Sequence, residues 1–326
     1  MRLMMLALLG LLASAGILVA YSLWQAQVIA TRLPPLGEKV SVDSQTIHFV
    51  DQRPAGPEKA TLLLIHGASG NEADLRAALA RQLVEKNYRV ISVDRPGQGW
   101  SSRAAQAAQN SPAGQATIIH KAMRQHGVTK AIVVVHSLAG TVGLQMALNH
   151  TDFTTGLMMI SPVSHPWPGG IATYYHIAAS PLGAVFNYTL ALPLGQALLP
   201  SAVQSVFAPY KPPEDYTRQT RLQLVLRPQA FAANARDVAR LFDFVSTQWP
   251  RYKQIALPVS IVAGDADTIV ITNIHSRNSA REIPGAKLTI LPGVGHVPHW
   301  THPAAVIRAI EDVFSRTRSN VPLSSR

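Results

Sequence analysis

Apolar and polar residues alternate over residues 39–42 and again over 46–51, the period-two pattern of a half-buried hairpin. Beyond the hairpin the alternation stops. Residues 61–65, 88–93, 130–135, 155–160, 259–263 and 288–291 are short, mostly apolar runs, as expected of strands covered on both faces of a parallel sheet. Residues 72–85, 113–126, 138–149 and 303–316 carry apolar side chains at helical spacing. These eight strands and the helices between them predict a doubly wound, mostly parallel α/β sheet, with reactive groups at the carboxyl ends of strands.

Two stretches fall outside that rhythm. From Leu3 to Trp24 no residue is charged, and Tyr21 and Trp24 close the stretch with aromatics suited to a membrane interface. Residues 1–25 are therefore predicted to be a transmembrane anchor. A cleaved signal peptide, with Ala13-Ser14-Ala15 as its cleavage site, is the alternative. Against it stands the length, since such apolar regions usually run only about 7–15 residues. Residues 26–38, with Pro34-Pro35, read as a linker lifting the next domain off the membrane. Arg2 on one side nearly balances Arg32 and Lys39 on the other. The expectation is a single-pass inner-membrane protein with its catalytic domain outward, or a secreted one if the signal is cleaved.

The second stretch is residues 165–248, where strand–helix alternation fails and where 165–210 contain no Asp, Glu, Lys or Arg. It predicts a helical lid inserted into a core of residues 39–164 and 249–316, with 317–326 as a flexible basic tail. Asn187, Pro193 and Gln196 argue against a second membrane span. A greasy substrate or burial against the core accounts better for the missing charge.

Composition narrows the function classes. With 47% hydrophobic and 14% charged residues, the 326-residue chain is no solvated disordered polymer. The absence of cysteine removes disulfides, thiolate metal sites and cysteine nucleophiles. The net charge of +11 is scattered rather than gathered in a stripe, so no nucleic-acid partner is expected. Attraction to anionic lipid near the anchor is the more modest consequence.

The candidate chemistry lies at strand ends. After Val135 comes His136-Ser137-Leu138-Ala139-Gly140 and then an apolar helix, the strand, sharp turn and helix of a nucleophile elbow. Val135 and Ala139 stand where such turns usually carry glycine. His66-Gly67-Ala68-Ser69-Gly70 forms a tight turn after an earlier strand. The amides of Ala68 and Leu138 are the expected oxyanion hole, with His66, Gly67 and His136 in supporting places. No second histidine or carboxylate sits at metal-ligand spacing from His66. In Gly264-Asp265-Ala266-Asp267 the expected acid is Asp267, three residues past the strand-ending glycine, while Asp265 caps the turn. His296, on a loop loosened by Gly293 and Gly295, is the expected base. His299 and His302 read as packing or surface residues, with a weak metal signal from their spacing. Neither metal nor cofactor is required by this set.

The order Ser137, Asp267, His296, with the oxyanion turn ahead of the serine, resembles the α/β-hydrolase superfamily over roughly residues 39–316. Asp94-Arg95-Pro96-Gly97-Gln98-Gly99-Trp100-Ser101 is similar to that superfamily's Asp-Arg-Pro-Gly-His-Gly-x-Ser loop, with Gln98 for the histidine. The resemblance implies an eight-stranded α/β-hydrolase sheet with a lid, in a serine esterase or lipase of the bacterial membrane-anchored type. It implies acyl transfer through an acyl-enzyme, on a small-molecule ester with a hydrophobic acyl or alcohol group. The same three residues could instead serve carbon–carbon hydrolysis or cofactor-free perhydrolysis. A membrane-tethered binding protein without catalysis is a third reading, should Val135 and Ala139 prevent the elbow from forming.

Overall fold

The computed structural model describes residues 1–319. Its strands are β1 (Glu38–Val42), β2 (Gln45–Gln52), β3 (Thr61–Ile65), β4 (Arg89–Val93), β5 (Ala131–His136), β6 (Thr154–Ile160), β7 (Val259–Gly264) and β8 (Lys287–Leu291). They form one sheet in the order β1-β2-β4-β3-β5-β6-β7-β8. The β1–β2 and β2–β4 pairs are antiparallel and the others parallel. Each predicted strand lies within one or two residues of an observed one.

The unbroken apolar runs follow from burial on both faces. Successive side chains of a strand point to opposite sides. Leu63, Ile65, Val133 and Val135 thus join Ile119 and Val142 in one layer. Leu62, Leu64, Ile132 and Val134 join Leu79, Val306 and Ile310 in the other. Each such side chain, removed from water, contributes about 1.5–3 kcal/mol. The helix Pro112–Gln125 starts where Ser111 Oγ accepts the Gly114 amide at 3.1 Å and Pro112 pre-sets the first turn. The predicted helix over 72–85 is interrupted, with a wider π turn over Arg76–Ala80 between Ala73–Leu75 and Arg81–Glu85.

From β3 the chain passes to β4 on one side and later to β5 on the other. That reversal opens a crevice at the carboxyl ends of β3 and β5, the usual ligand position in such sheets. Between β6 and β7 the connection is helical, with Thr173–Ala179, Gly183–Thr189, Ala191–Phe207, Pro228–Ala239 and Leu241–Gln248. Gly183–Thr189 and Ala191–Phe207 meet at 67°.

The amino terminus corrects one expectation. A single helix runs Arg2–Arg32, so most of the predicted linker is helical. It is also packed. Tyr21 donates its hydroxyl to Gln196 Oε1 at 3.0 Å, and Ser22 and Ile29 are buried against the insertion. Residues 25–32 contain no helix breaker, and Pro34-Pro35 stops the helix only at Leu33. The expected tail is corrected likewise, because the last helix, Pro303–Ser319, runs through residues 317–319. The remainder of that tail, 320–326, lies outside the described residues.

Room for Val135 and Ala139 comes from other glycines. A Cβ on Gly143 would lie 2.7 Å from Val135 Cγ1 and 2.9 Å from Leu157 Cδ1. One on Gly140 would lie 2.7 Å from Pro162 Cβ. The elbow helix approaches β5 and β6 only because these two positions carry no side chain. Gly143→Ala is expected to destabilise the fold by about 1–3 kcal/mol through overpacking. Adding Val135→Ala should recover part of that loss. Urea unfolding of the two single variants and the double variant checks it, and additive losses would show that Val135 is not the crowded partner.

Candidate active site

β5 ends in a turn that only a strained residue can make. Ser137 has φ 53°, the left-handed region that costs a residue with a Cβ of order 1 kcal/mol or more. Its backbone is fixed on both sides. The Ser137 amide donates to Ile160 O at 3.0 Å, and its carbonyl accepts from the Gly140 and Val163 amides, each at 2.9 Å. The elbow therefore forms with Val135 and Ala139 in place.

The serine hydroxyl meets two groups from distant loops. Ser137 Oγ lies 3.0 Å from His296 Nε2, and His296 Nδ1 lies 2.8 Å from Asp267 Oδ2. All three residues are buried. Asp267 is held in turn, because its Oδ1 accepts the Ile269 and Val270 amides, each at 2.9 Å. An ionised carboxylate at Nδ1 keeps the proton there and leaves the Nε2 lone pair facing the hydroxyl. Asp265 points elsewhere and accepts the Gly293 amide at 2.6 Å, tying the loop after β7 to the loop that carries His296.

Opposite the serine lies the turn after β3. Among the described residues neither the Ala68 nor the Leu138 amide donates a hydrogen bond within the protein. The reason for the Ala68 orientation is visible. Gly67 O accepts from His66 Nδ1 at 2.8 Å and from Arg95 Nη2 at 3.1 Å. In a trans peptide the carbonyl and the following N–H point opposite ways, so gripping the Gly67 carbonyl turns the Ala68 N–H the other way. His66 is a neutral Nδ1–H tautomer, since its Nε2 accepts the Arg95 amide at 3.0 Å. Burial, and then the Arg95 guanidinium, push its pKa down to about 4. Gly67 itself has no room for a side chain, as a Cβ there would lie 3.0 Å from Ser137 Cβ.

Sequence reasoning missed the anchor of this turn. Arg95 is fully buried, donates to His66 O at 3.0 Å, and pairs with Asp237 of the insertion at 2.9 Å. Asp237 also takes Arg103 at 2.8 Å and Gln115 at 3.2 Å. The signal in the sequence was Arg95's place in the Asp94–Ser101 loop similar to the superfamily's, which carried no hint of Asp237.

His136 and His299 were read as supporting and as packing or surface. Both are buried, with their ring centroids 4.4 Å apart, and Asp74 lies beside them. Asp74 was not singled out from the sequence, and His302 is half-buried.

Two cavities meet at Ser137 and Ala68. One, of about 210 Å³, runs between Val203, Val206, Leu222 and Val225 of the insertion and reaches Asp74 and His296. The other, of about 310 Å³, is walled by Trp167, Ile171, Val238, Leu241 and Val270. Both walls are chiefly apolar.

Residues 60–303 match the family model described as the alpha/beta hydrolase fold. An uncharacterized protein of Mycobacterium tuberculosis is 27% identical over 271 residues, covering 78% of this chain and 75% of the relative. A putative carbamate hydrolase, RutD, of a Caulobacter species is 28% identical over 284 residues, covering 82% of this chain and 95% of the relative. The crystal structure of a bacterial membrane phospholipase A superposes with a TM-score of 0.64 at 21% identity, covering 98% of this chain and 100% of that one.

Removing Arg95 should loosen the turn and the insertion together. Arg95→Met leaves Asp237 with less compensation in a buried site and is expected to cost about 3–5 kcal/mol of stability. Misplacement of the Ala68 amide should lower hydrolytic turnover by up to about 100-fold. Chemical denaturation and steady-state kinetics on the folded fraction read the two effects separately.

His275 adds a pH dependence of its own. Its Nδ1 accepts the Ser164 and His165 amides at 3.3 and 3.2 Å, and burial, followed by repulsion from His165, lowers its pKa from 6.5 to about 4. An unfolded chain takes up these protons below pH 6.5 while the folded one resists until about 4. Stability is thus complete above pH 6.5 and falls as pH drops towards 4. His275→Asn, which keeps an acceptor near Nδ1 but does not titrate, should flatten that fall in a melting series against pH.

Proposed function

The chain belongs to the α/β-hydrolase family, and from that premise we propose that it is a serine hydrolase cleaving carboxylic esters. Ser137 is the nucleophile, His296 the general base and then acid, and Asp267 the carboxylate that orients the imidazole. One observation carries this reading: the continuous hydroxyl–imidazole–carboxylate chain, 3.0 Å and 2.8 Å long in its two links.

In the first step Ser137 Oγ bonds to the ester carbonyl carbon as its proton passes to His296 Nε2. The carbonyl oxygen takes the negative charge. The Ala68 and Leu138 amides receive it, each such donor typically lowering the barrier by about 3–4 kcal/mol. Collapse of the intermediate breaks the ester C–O bond, and His296 returns the proton to the leaving alcohol. Water then repeats the sequence on the acyl-serine, releasing the acid and restoring the hydroxyl. Throughout, Asp267 holds the imidazole in the tautomer that can accept, and stabilises the imidazolium.

The two apolar cavities flanking Ser137 favour an ester with hydrophobic groups on both the acyl and the alcohol side. The Arg2–Arg32 helix favours a lipid-derived one. At about 1.5 Å per residue it is roughly 46 Å long, against a hydrocarbon core of about 30 Å. Its first two-thirds form the anchor, and the last turns dock on the insertion, which acts as the lid. On this reading the catalytic domain stays close to the bilayer, and the orientation proposed for it is outward from an inner membrane. The end-to-end likeness to a membrane phospholipase A supports the same reading.

Ser137→Ala should lower turnover of a short-chain aryl ester at least about 1000-fold. A fluorophosphonate probe should label the native chain at Ser137, in the washed membrane fraction, and leave the variant unlabelled. Activity retained by the variant would reject the assignment, and label found in the soluble fraction would reject the anchor.

A further inference from the structure

A second cluster lies directly beneath the catalytic imidazole. Asp74 Oδ2 is 3.6 Å from His299 Nε2 and 3.9 Å from His136 Nδ1, and one ligand atom from each residue lies within 4.8 Å of the others. His299 is 0% exposed, His136 5% and Asp74 8%. These separations exceed ordinary hydrogen-bond distance. Among the described residues, His136 Nδ1 and both ring nitrogens of His299 have no hydrogen-bond partner.

The tautomer of His136 sharpens the point. Its Nε2 lies 3.1 Å from the His296 carbonyl oxygen. A carbonyl can only accept, so Nε2 carries the hydrogen, and a neutral ring then turns a bare lone pair at Nδ1 towards the Asp74 carboxylate. Two acceptors facing each other out of water repel unless a positive charge lies between them.

A tetrahedral divalent ion with bonds of about 2.0–2.2 Å holds its ligand atoms about 3.4 Å apart. The two carboxylate–imidazole separations, 3.6 and 3.9 Å, lie within about half an ångström of that, and the third pair lies within 4.8 Å. Two imidazoles and one carboxylate suit zinc and its neighbours, whereas magnesium and calcium demand mostly oxygen ligands. The outer contacts also fit. Trp300 Nε1 donates to Asp74 Oδ1 at 2.9 Å, and His136 donates its other nitrogen to a backbone carbonyl. Both are the orienting bonds that metal-binding carboxylates and histidines make. Asp74 and His136 line the cavity that reaches Ser137, which gives an ion its way in.

We propose that Asp74, His136 and His299 bind a divalent transition-metal ion of the zinc type, and that its presence slows turnover. The His136 and His296 ring centroids are 4.8 Å apart. A bound cation therefore sits near the imidazole that must itself become positive, and opposes that charge. The slowing rests on the ester-hydrolase reading above, while the binding stands independently of it.

Untagged, chelator-treated full-length protein titrated with zinc chloride tests both halves. One tightly held ion per chain is expected, with kcat falling as the site fills and recovering on addition of EDTA. Asp74→Asn and His299→Ala should each weaken binding at least about 100-fold and abolish the zinc sensitivity. X-ray absorption at the zinc edge on the native protein should read two imidazoles and a carboxylate, and needs no variant. Absence of a stoichiometric ion, a spectrum without imidazole, or binding unchanged in both variants would overturn the site, the last because the ion would then lie elsewhere. Zinc bound at the cluster with kcat unchanged would overturn the inhibition. Zinc bound to a chain inert towards esters would fault the ester reading and leave the site standing.

Discussion

Ser137 sits in a backbone conformation that a serine would not adopt in isolation, and the surrounding structure is organised around tolerating it. Its φ of 53° turns the side chain out of the β5 line and up to the imidazole of His296. The strain, of order 1–3 kcal/mol for such a residue, is offset by three backbone hydrogen bonds to Ile160, Gly140 and Val163. It also restricts the neighbours. Gly67, Gly140 and Gly143 each lie where a Cβ would strike the elbow, the strand or the following turn. The usual elbow glycines are replaced here by Val135 and Ala139, and the missing space reappears one helical turn away. Close approach of helix to strand is the requirement, and more than one distribution of glycines satisfies it.

A second constraint joins this elbow to the insertion. The buried Arg95 guanidinium grips the carbonyls of His66 and Gly67 on one side and Asp237 on the other. Asn234, on the same helix as Asp237, takes the Ser69 amide at 2.7 Å and donates to Ser69 Oγ at 3.0 Å. Lifting the helix Pro228–Ala239 would strip a buried arginine of its carboxylate, a costly step. That helix therefore belongs mechanically to the core, although the chain enters it from the insertion. The Arg95–Asp237 pair does not hold the segments before it, where Gly183–Thr189 and Ala191–Phe207 meet at 67°, nor Leu241–Gln248 after it.

These couplings mark the limit of what the sequence displays. The strands were legible because burial on both faces leaves runs such as Thr61–Ile65 and Ala131–His136 almost purely apolar. The elbow, the turn at Gly67 and the loop carrying Asp267 were legible because each follows such a run directly. Asp267 was expected over Asp265 from its position three residues past the strand-ending glycine, and it is Asp267 that lies 2.8 Å from His296 Nδ1. The pairing of Arg95 with Asp237, 142 residues away, has no local signature, and neither has the meeting of Asp74 with His136 and His299. The linker was misread for a related reason. Residues 25–32 are polar enough to resemble a spacer, and only the packing of Ile29 shows that their apolar face has a partner.

The same packing explains why residues 165–210 lack charge. One face of this segment covers the last turns of the amino-terminal helix, through Thr189, Leu192 and Gln196. Another face lies open, with Leu182 80% exposed, Val185 64% and Leu198 59%. Burial accounts for the first set and leaves the second without an explanation in a protein surrounded by water. Exposed leucines cost little at a lipid interface, and a charged side chain beside them would be expensive there. On the anchor reading proposed above, a helix that is apolar for its first two-thirds and docked by its last turns would bring this open face to the membrane surface. Helix and insertion would on that reading form one apolar unit, which would account for a charge-free stretch that neither a water-exposed lid nor a fully buried one requires.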